Sequence, residues 1–358
     1  GYSSHNLSIT PTQISRLKQF FKRHKSIKIV KMKLSGFCIY PLDENQIFAS
    51  MLNNLNYLNS LEYLNFWSVS NITVSNRQLE ILNTKKKFWK LRKLNLFYFR
   101  STGVELAIVK TISKFLLKVP RVQELNFEIN IKVSEMSDIY QSLINNLSKL
   151  SCLKKLSLKF GYTVFEKDSL AILGQSLKAL KSLKDLNISL HCMELFSPND
   201  FHMLMSDIQE MKQLSTFSLA VTTHSLPRYF LELSLDFSSE NLRKLEINSR
   251  LISAMSISKA LQTKCLTKLQ HFAFYIPETI TEESSSEYQE LLQEMKSLES
   301  LKIVSSASSV GNKLVQSILH SLQINNSLKE LDLEIKQSQT EEPEFDSIMI
   351  LISDIHSL

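Results

Sequence analysis

One short phrase, L-x-x-L-x-L, recurs along this chain at intervals of 27–32 residues. It stands as Leu61-Glu-Tyr-Leu64-Asn-Phe66, Leu91-Arg-Lys-Leu94-Asn-Leu96 and Val122-Gln-Glu-Leu125-Asn-Phe127. It returns as Leu153-Lys-Lys-Leu156-Ser-Leu158 and Leu183-Lys-Asp-Leu186-Asn-Ile188. Later copies begin at Leu214, Leu242, Leu269, Leu298 and Leu328, and Leu358 falls in phase for one more. Ile29-Val-Lys-Met32-Lys-Leu34 reads as a weaker first copy. A phase held over eleven intervals is not coincidence; it marks an array of one small supersecondary unit.

Each copy alternates apolar and polar residues, which suits a short strand with one buried face. Between copies the apolar residues take helical spacing, as in Ile139, Leu143, Leu147 and Leu150, or Leu170, Leu173, Leu177 and Leu180. Ser284-Ser-Ser-Glu287 has the form of a helix capping box. The unit is therefore strand, loop, helix, loop. One unit cannot bury its own strand and helix faces, so it must stack on its neighbours. Composition agrees: 6 Gly and 7 Pro leave little material for the corners of a many-turned β-sandwich or barrel. The 57 leucines, out of 358 residues, are the phased ladder itself.

The chain resembles leucine-rich repeat proteins, over residues 12–358 and most closely their ribonuclease-inhibitor-like class. That resemblance implies an α/β leucine-rich-repeat solenoid, a horseshoe with a parallel concave sheet and convex helices, formed as a single domain of about eleven repeats over residues 1–358. The helix phrase Ile144-Asn-Asn-Leu147-Ser-Lys-Leu150-Ser-Cys-Leu153 is similar in style to the repeats of ciliate proteins of this kind. The family's loop asparagine is present in one copy only, as Asn130. The residue before that place is instead often apolar (Ile129, Phe160, Leu190, Val221), which predicts strands one inward residue longer than the family pattern. Phe230-Leu-Glu-Leu-Ser-Leu-Asp-Phe237 alternates strictly and predicts an extended convex segment. Residues 12–26, with Ile14, Leu17, Phe20 and Phe21, read as an N-terminal helix. No polar capping repeat is visible, so the chain reads as part of a longer protein.

No catalytic signature is found. There is no G-x-G-x-x-G, no P-loop, no H-E-x-x-H and no G-x-S-x-G. His191 and Cys192 are adjacent, and adjacent strand residues point to opposite faces, so they make no metal site. The reading is of a non-enzyme without cofactor, metal or small-molecule substrate. Four scattered cysteines suit a reduced, intracellular chain, cytoplasmic and, by the ciliate likeness, ciliary or cytoskeletal. No apolar run is long enough to span a membrane.

The alternation places the third, fifth and seventh positions of each repeat on the sheet face away from the core. Tyr63, Trp67, Lys93 and Phe97 then form an aromatic and cationic patch near the N-terminal end, and Lys155 and Lys159 add charge beyond it. Exposed aromatics of this kind mark binding surfaces. Lys85, Lys86, Lys87, Lys90 and Arg92 form a basic edge before one strand. Residues 1–180 carry 27 Lys+Arg against 11 Asp+Glu, while residues 181–358 carry 15 against 24. The expected partner is a protein that is acidic where it meets the N-terminal half. Two alternatives stand beside the scaffold or assembly-subunit reading. One is nucleic-acid binding by the basic half. The other is GTPase activation of the Ran type, for which Arg77 and Arg100 are the candidate arginines.

Overall fold

The structure, a computed structural model, describes residues 11–35, 52–70, 87–100, 106–130, 137–163, 168–192, 197–223, 237, 239–249, 267–276, 292–293, 295–306 and 327–336. Arg77, Lys85, Lys86, the capping-box phrase at 284–287 and the segment 230–236 lie outside the described residues. The chain forms two compact units, residues 1–183 with 191–194 and residues 184–190 with 195–358.

The first unit holds α1 (Pro11–Arg23), β1 (Ile29–Ser35), β2 (Tyr63–Ser70), β3 (Lys93–Arg100), α2 (Leu106–Leu116), β4 (Glu124–Asn130), α3 (Ser137–Leu147), β5 (Lys155–Thr163) and α4 (Ser169–Lys178). The second holds most of β6 (Asp185–Cys192), then α5 (Pro198–Gln209), β7 (Thr216–Thr223), β8 (Lys244–Ser249), β9 (His271–Ile276), β10 (Ser300–Ser306) and β11 (Glu330–Lys336). The strands make one parallel sheet in chain order, not closed into a barrel. Strands β2 to β11 each start at the third position of their repeat. Parallel neighbours need a crossover connection, and the helical spacing between copies supplies it.

One joint sets the register. The carbonyl of the second repeat position accepts N–H groups from both the second and third positions of the next repeat. Lys28 O thus receives Glu62 N at 2.7 Å and Tyr63 N at 3.0 Å, and Glu62 O receives Arg92 N and Lys93 N. The same sharing recurs at Arg92, Gln123, Lys184, Ser215, Arg243, Gln270 and Glu299.

The core of the first unit lies between the inward strand positions and the helices. Leu64, Phe66, Leu94, Leu96, Leu125, Phe127, Leu156 and Leu158 are buried, with Val109, Ile112 and Phe115 of α2 and Leu143, Ile144 and Leu147 of α3. The second unit repeats this with Phe217, Leu219, Leu245, Ile247, Phe272, Phe274, Leu301 and Ile303. The added inward position is real: Ile129, Phe160, Leu190 and Val221 are fully buried, and β5 reaches 9 residues. In α1, Phe21 is buried, whereas Phe20 is half exposed and lies against His24, with ring centroids 4.5 Å apart.

The first repeat departs from its expected phase. Ile29 was placed as an inward first position, but β1 pairs Ile29 with Tyr63, which is a third position. Ile29 is 58% exposed, while Val30 is buried. The repeat therefore begins at Ile27. The run Ile27-Lys-Ile29-Val-Lys-Met-Lys-Leu34 fits the phrase at either of two offsets, and the Lys28 carbonyl joint selects one. Among expected outward positions, Asn95, Ser189, Tyr275 and Val304 are buried.

Candidate binding face

In a parallel sheet with fixed register, outward residues fall into rows that cross the strands. The third positions give the row Ile29, Tyr63, Lys93, Glu124 and Lys155. The fifth give Lys31, Asn65, Asn95, Asn126 and Ser157. The seventh give Lys33, Trp67, Phe97, Glu128 and Lys159. Neighbours within a row stand about 4.8 Å apart, so side chains along it are in reach of one another.

The structure brings Tyr63, Trp67, Lys93 and Phe97 together on adjacent strands β2 and β3. Trp67 is 39% exposed, and Lys33 Nζ lies 4.2 Å from its ring centroid. Tyr63 has Lys31 on one neighbouring strand, at 6.0 Å, and Lys93 on the other, at 5.8 Å. A cation over a ring face is attracted by its quadrupole, so each ring helps hold an ammonium group over the face.

The cationic residues of the patch behave differently from one another. Lys93 donates to Glu124 at 2.8 Å, and Lys159 pairs with Glu128 at 3.5 Å. Exposed pairs add about 0–1 kcal/mol each, yet they cancel the charge that was expected to meet an acidic partner. The hydrogen bond to Glu124 holds the Lys93 ammonium above the ordinary lysine range, outweighing partial desolvation. Lys155 is exposed beside Glu124 in its row. Positive charge without a carboxylate partner among the described residues stands on β1 instead, at Lys31 and Lys33. These two and Ile29 complete the patch; the shifted phase hid Ile29, whereas Lys31 and Lys33 are outward positions at either offset.

A polar chain runs beneath the patch. Asn126 Nδ2 donates to Asn95 Oδ1 at 2.8 Å, and Asn95 Nδ2 donates to the Tyr63 hydroxyl at 3.0 Å. This locks the Tyr63 ring, while the buried Asn65 Oδ1 has no hydrogen-bond partner among the described residues. Replacing Asn95 by leucine is expected to cost about 1–2 kcal/mol, because two partners lose their bond. Chemical denaturation would measure it, and no change would show the chain of amides to be idle.

The basic edge forms a second surface, before the strands rather than on their face. Lys87, Lys90 and Arg92 are exposed. Between them Trp89 is 51% exposed, with Lys87 Nζ and Arg121 Cζ each 5.3 Å from its ring. The Arg92 guanidinium donates to the Arg121 carbonyl at 3.1 Å, tying two successive repeats. Trp89 and Arg121 sit in corners with no periodic signal. Arg100 is the last residue of β3.

Among the described residues no group of three or more His, Cys, Asp or Glu side chains is placed to hold a metal ion. No helix among them is long and apolar enough to cross a membrane. Compared with known proteins, the chain matches no family model and no curated protein.

Proposed function

We propose that the chain is a leucine-rich-repeat solenoid that works without catalysis, gripping another protein on its concave sheet as a scaffold or assembly subunit. The observation that carries this reading is the outward patch on β1–β3, where Ile29, Tyr63, Trp67 and Phe97 lie in register among Lys31, Lys33 and Lys93. Tryptophan and tyrosine are enriched among the few residues that dominate binding energy at protein interfaces. A rigid sheet loses little ordering entropy when it binds. The partner face is apolar at its centre and acidic toward β1, where Lys31 and Lys33 stand.

Nucleic acid fits this face less well. Bases stack on open ring faces, and here Tyr63 and Trp67 already carry the chain's own ammonium groups over their rings.

The test begins with capture of partners from native extract, identified by mass spectrometry and then purified. Trp67→Ala with Phe97→Ala is expected to weaken the purified partner about tenfold or more while the circular dichroism spectrum is retained. Unchanged affinity would move the binding surface to the helices.

A further inference from the structure

The charge split has a location in the first unit. Just before each strand the chain turns a corner, at residues 24–28, 58–62, 87–92, 117–123, 148–154 and 179–183. These corners hold ten Lys and Arg residues against one carboxylate, Glu62, which is already paired with Lys28 at 3.1 Å. The other nine have no carboxylate partner among the described residues. The corners at 87–92, 117–123 and 148–154 are joined side by side through the shared carbonyls of Arg92 and Gln123, so seven of these cations form a continuous row. The same edge of the second unit is different. There Lys268 faces Glu240 at 3.9 Å, and Lys329 pairs with Glu299 at 2.8 Å. A row of like charge repels itself, and a bound anion relieves that repulsion.

We propose that this starting edge of the first unit, centred on Lys87, Trp89, Lys90, Arg92, Arg121 and Lys154, is a docking track for an extended acidic peptide segment. It is separate from the sheet face and does not rest on the reading given for it. An extended peptide offers same-side carboxylates about 6.6–6.8 Å apart, the corners recur about 4.8 Å apart, and the long Lys and Arg side chains span the difference. Trp89 argues for a peptide over single-stranded nucleic acid. Its ring already holds the Lys87 and Arg121 cations at 5.3 Å, so it serves to fix two charges rather than to stack a base.

The two tryptophans, Trp67 and Trp89, make the edge readable by itself. In Trp67→Phe, Trp89 is the remaining fluorophore; in Trp89→Phe, Trp67 is. A labelled decaglutamate peptide and a ten-nucleotide oligouridylate are titrated at low salt. The peptide is expected to bind, to change the emission of Trp67→Phe, and to lose at least about fivefold in affinity when Lys90→Glu is combined with Lys154→Glu. The proposal is overturned if the peptide does not bind, or if the charge reversals leave its affinity unchanged. It is equally overturned if emission changes only in Trp89→Phe, or if the oligouridylate binds more tightly than the peptide. Failure here leaves the sheet-face test untouched, because that test reads Trp67 and Phe97 against a different ligand.

Discussion

Replacing Phe160 with alanine is expected to remove about 3–5 kcal/mol of stability from the first unit, the usual cost of emptying a phenylalanine site in a core. Phe160 is fully buried at the added inward position of β5. Its ring meets Phe127 of β4 edge-on at 6.4 Å and Tyr140 of α3 at 5.9 Å, so one side chain joins two repeats and both layers. The proper control is Phe97→Ala, which removes the same side chain from the opposite face of the sheet. It is expected to cost about 1 kcal/mol or less. Chemical denaturation followed by circular dichroism compares the two. Equal losses would mean that the outward and inward faces are wrongly assigned. In an array where each repeat leans only on its neighbours, hydrogen exchange should rise first in β4, β5 and α3.

Asn146→Leu is the second large effect, at about 2–3 kcal/mol for unmet buried polar groups. Asn146 is buried near the end of α3. Its Nδ2 donates to the Ser113 carbonyl at 3.1 Å and to Ser113 Oγ at 2.8 Å, and Lys149 Nζ donates to its Oδ1 at 3.1 Å. Ser113 lies within the last four residues of α2, where helix carbonyls lack an intrahelical donor. The asparagine therefore ends one helix from the next, and Ser113 Oγ passes the link to Ser142 Oγ at 3.1 Å. Leucine fills the space without donating. Because both residues belong to one network, Ser113→Ala with Asn146→Leu should cost less than the two changes summed. Strict additivity in denaturation experiments would show that the network is not coupled.

Where the sequence was readable, and where it was not, follows from the range of each interaction. Leucine phase located the third position of ten repeats, and with it the start of β2 to β11, because inward burial repeats with the period. The buried faces of α3 and α4 were legible for the same reason: Leu143, Leu147, Leu170, Leu173 and Leu177 lie inward. The phase failed at β1, where Ile27 and Ile29 offer the same alternation two residues apart and only a hydrogen bond to the next repeat decides between them. Tyr63, Trp67, Lys93 and Phe97 were correctly brought together. The neutralising of Lys93 and Lys159 was missed, although Glu124 and Glu128 stand at the same repeat positions. Reading repeats one below another gives the rows, but pairing within a row requires the register. Trp89 and Arg121 were beyond reach, since corner residues obey no period and meet only through three-dimensional turns.

The shared carbonyl at the second repeat position has a consequence for how such a chain can change. Intervals between repeats run from 27 residues, at Leu242 to Leu269, to 34, at Ile27 to Leu61, yet within each unit the strands meet at the same joint. Length differences are thus absorbed between the end of one strand and the next joint, and within each unit the outward residues keep a constant pitch. The face behaves as a pegboard: any one peg can be exchanged for another shape or charge while the holes stay where they are.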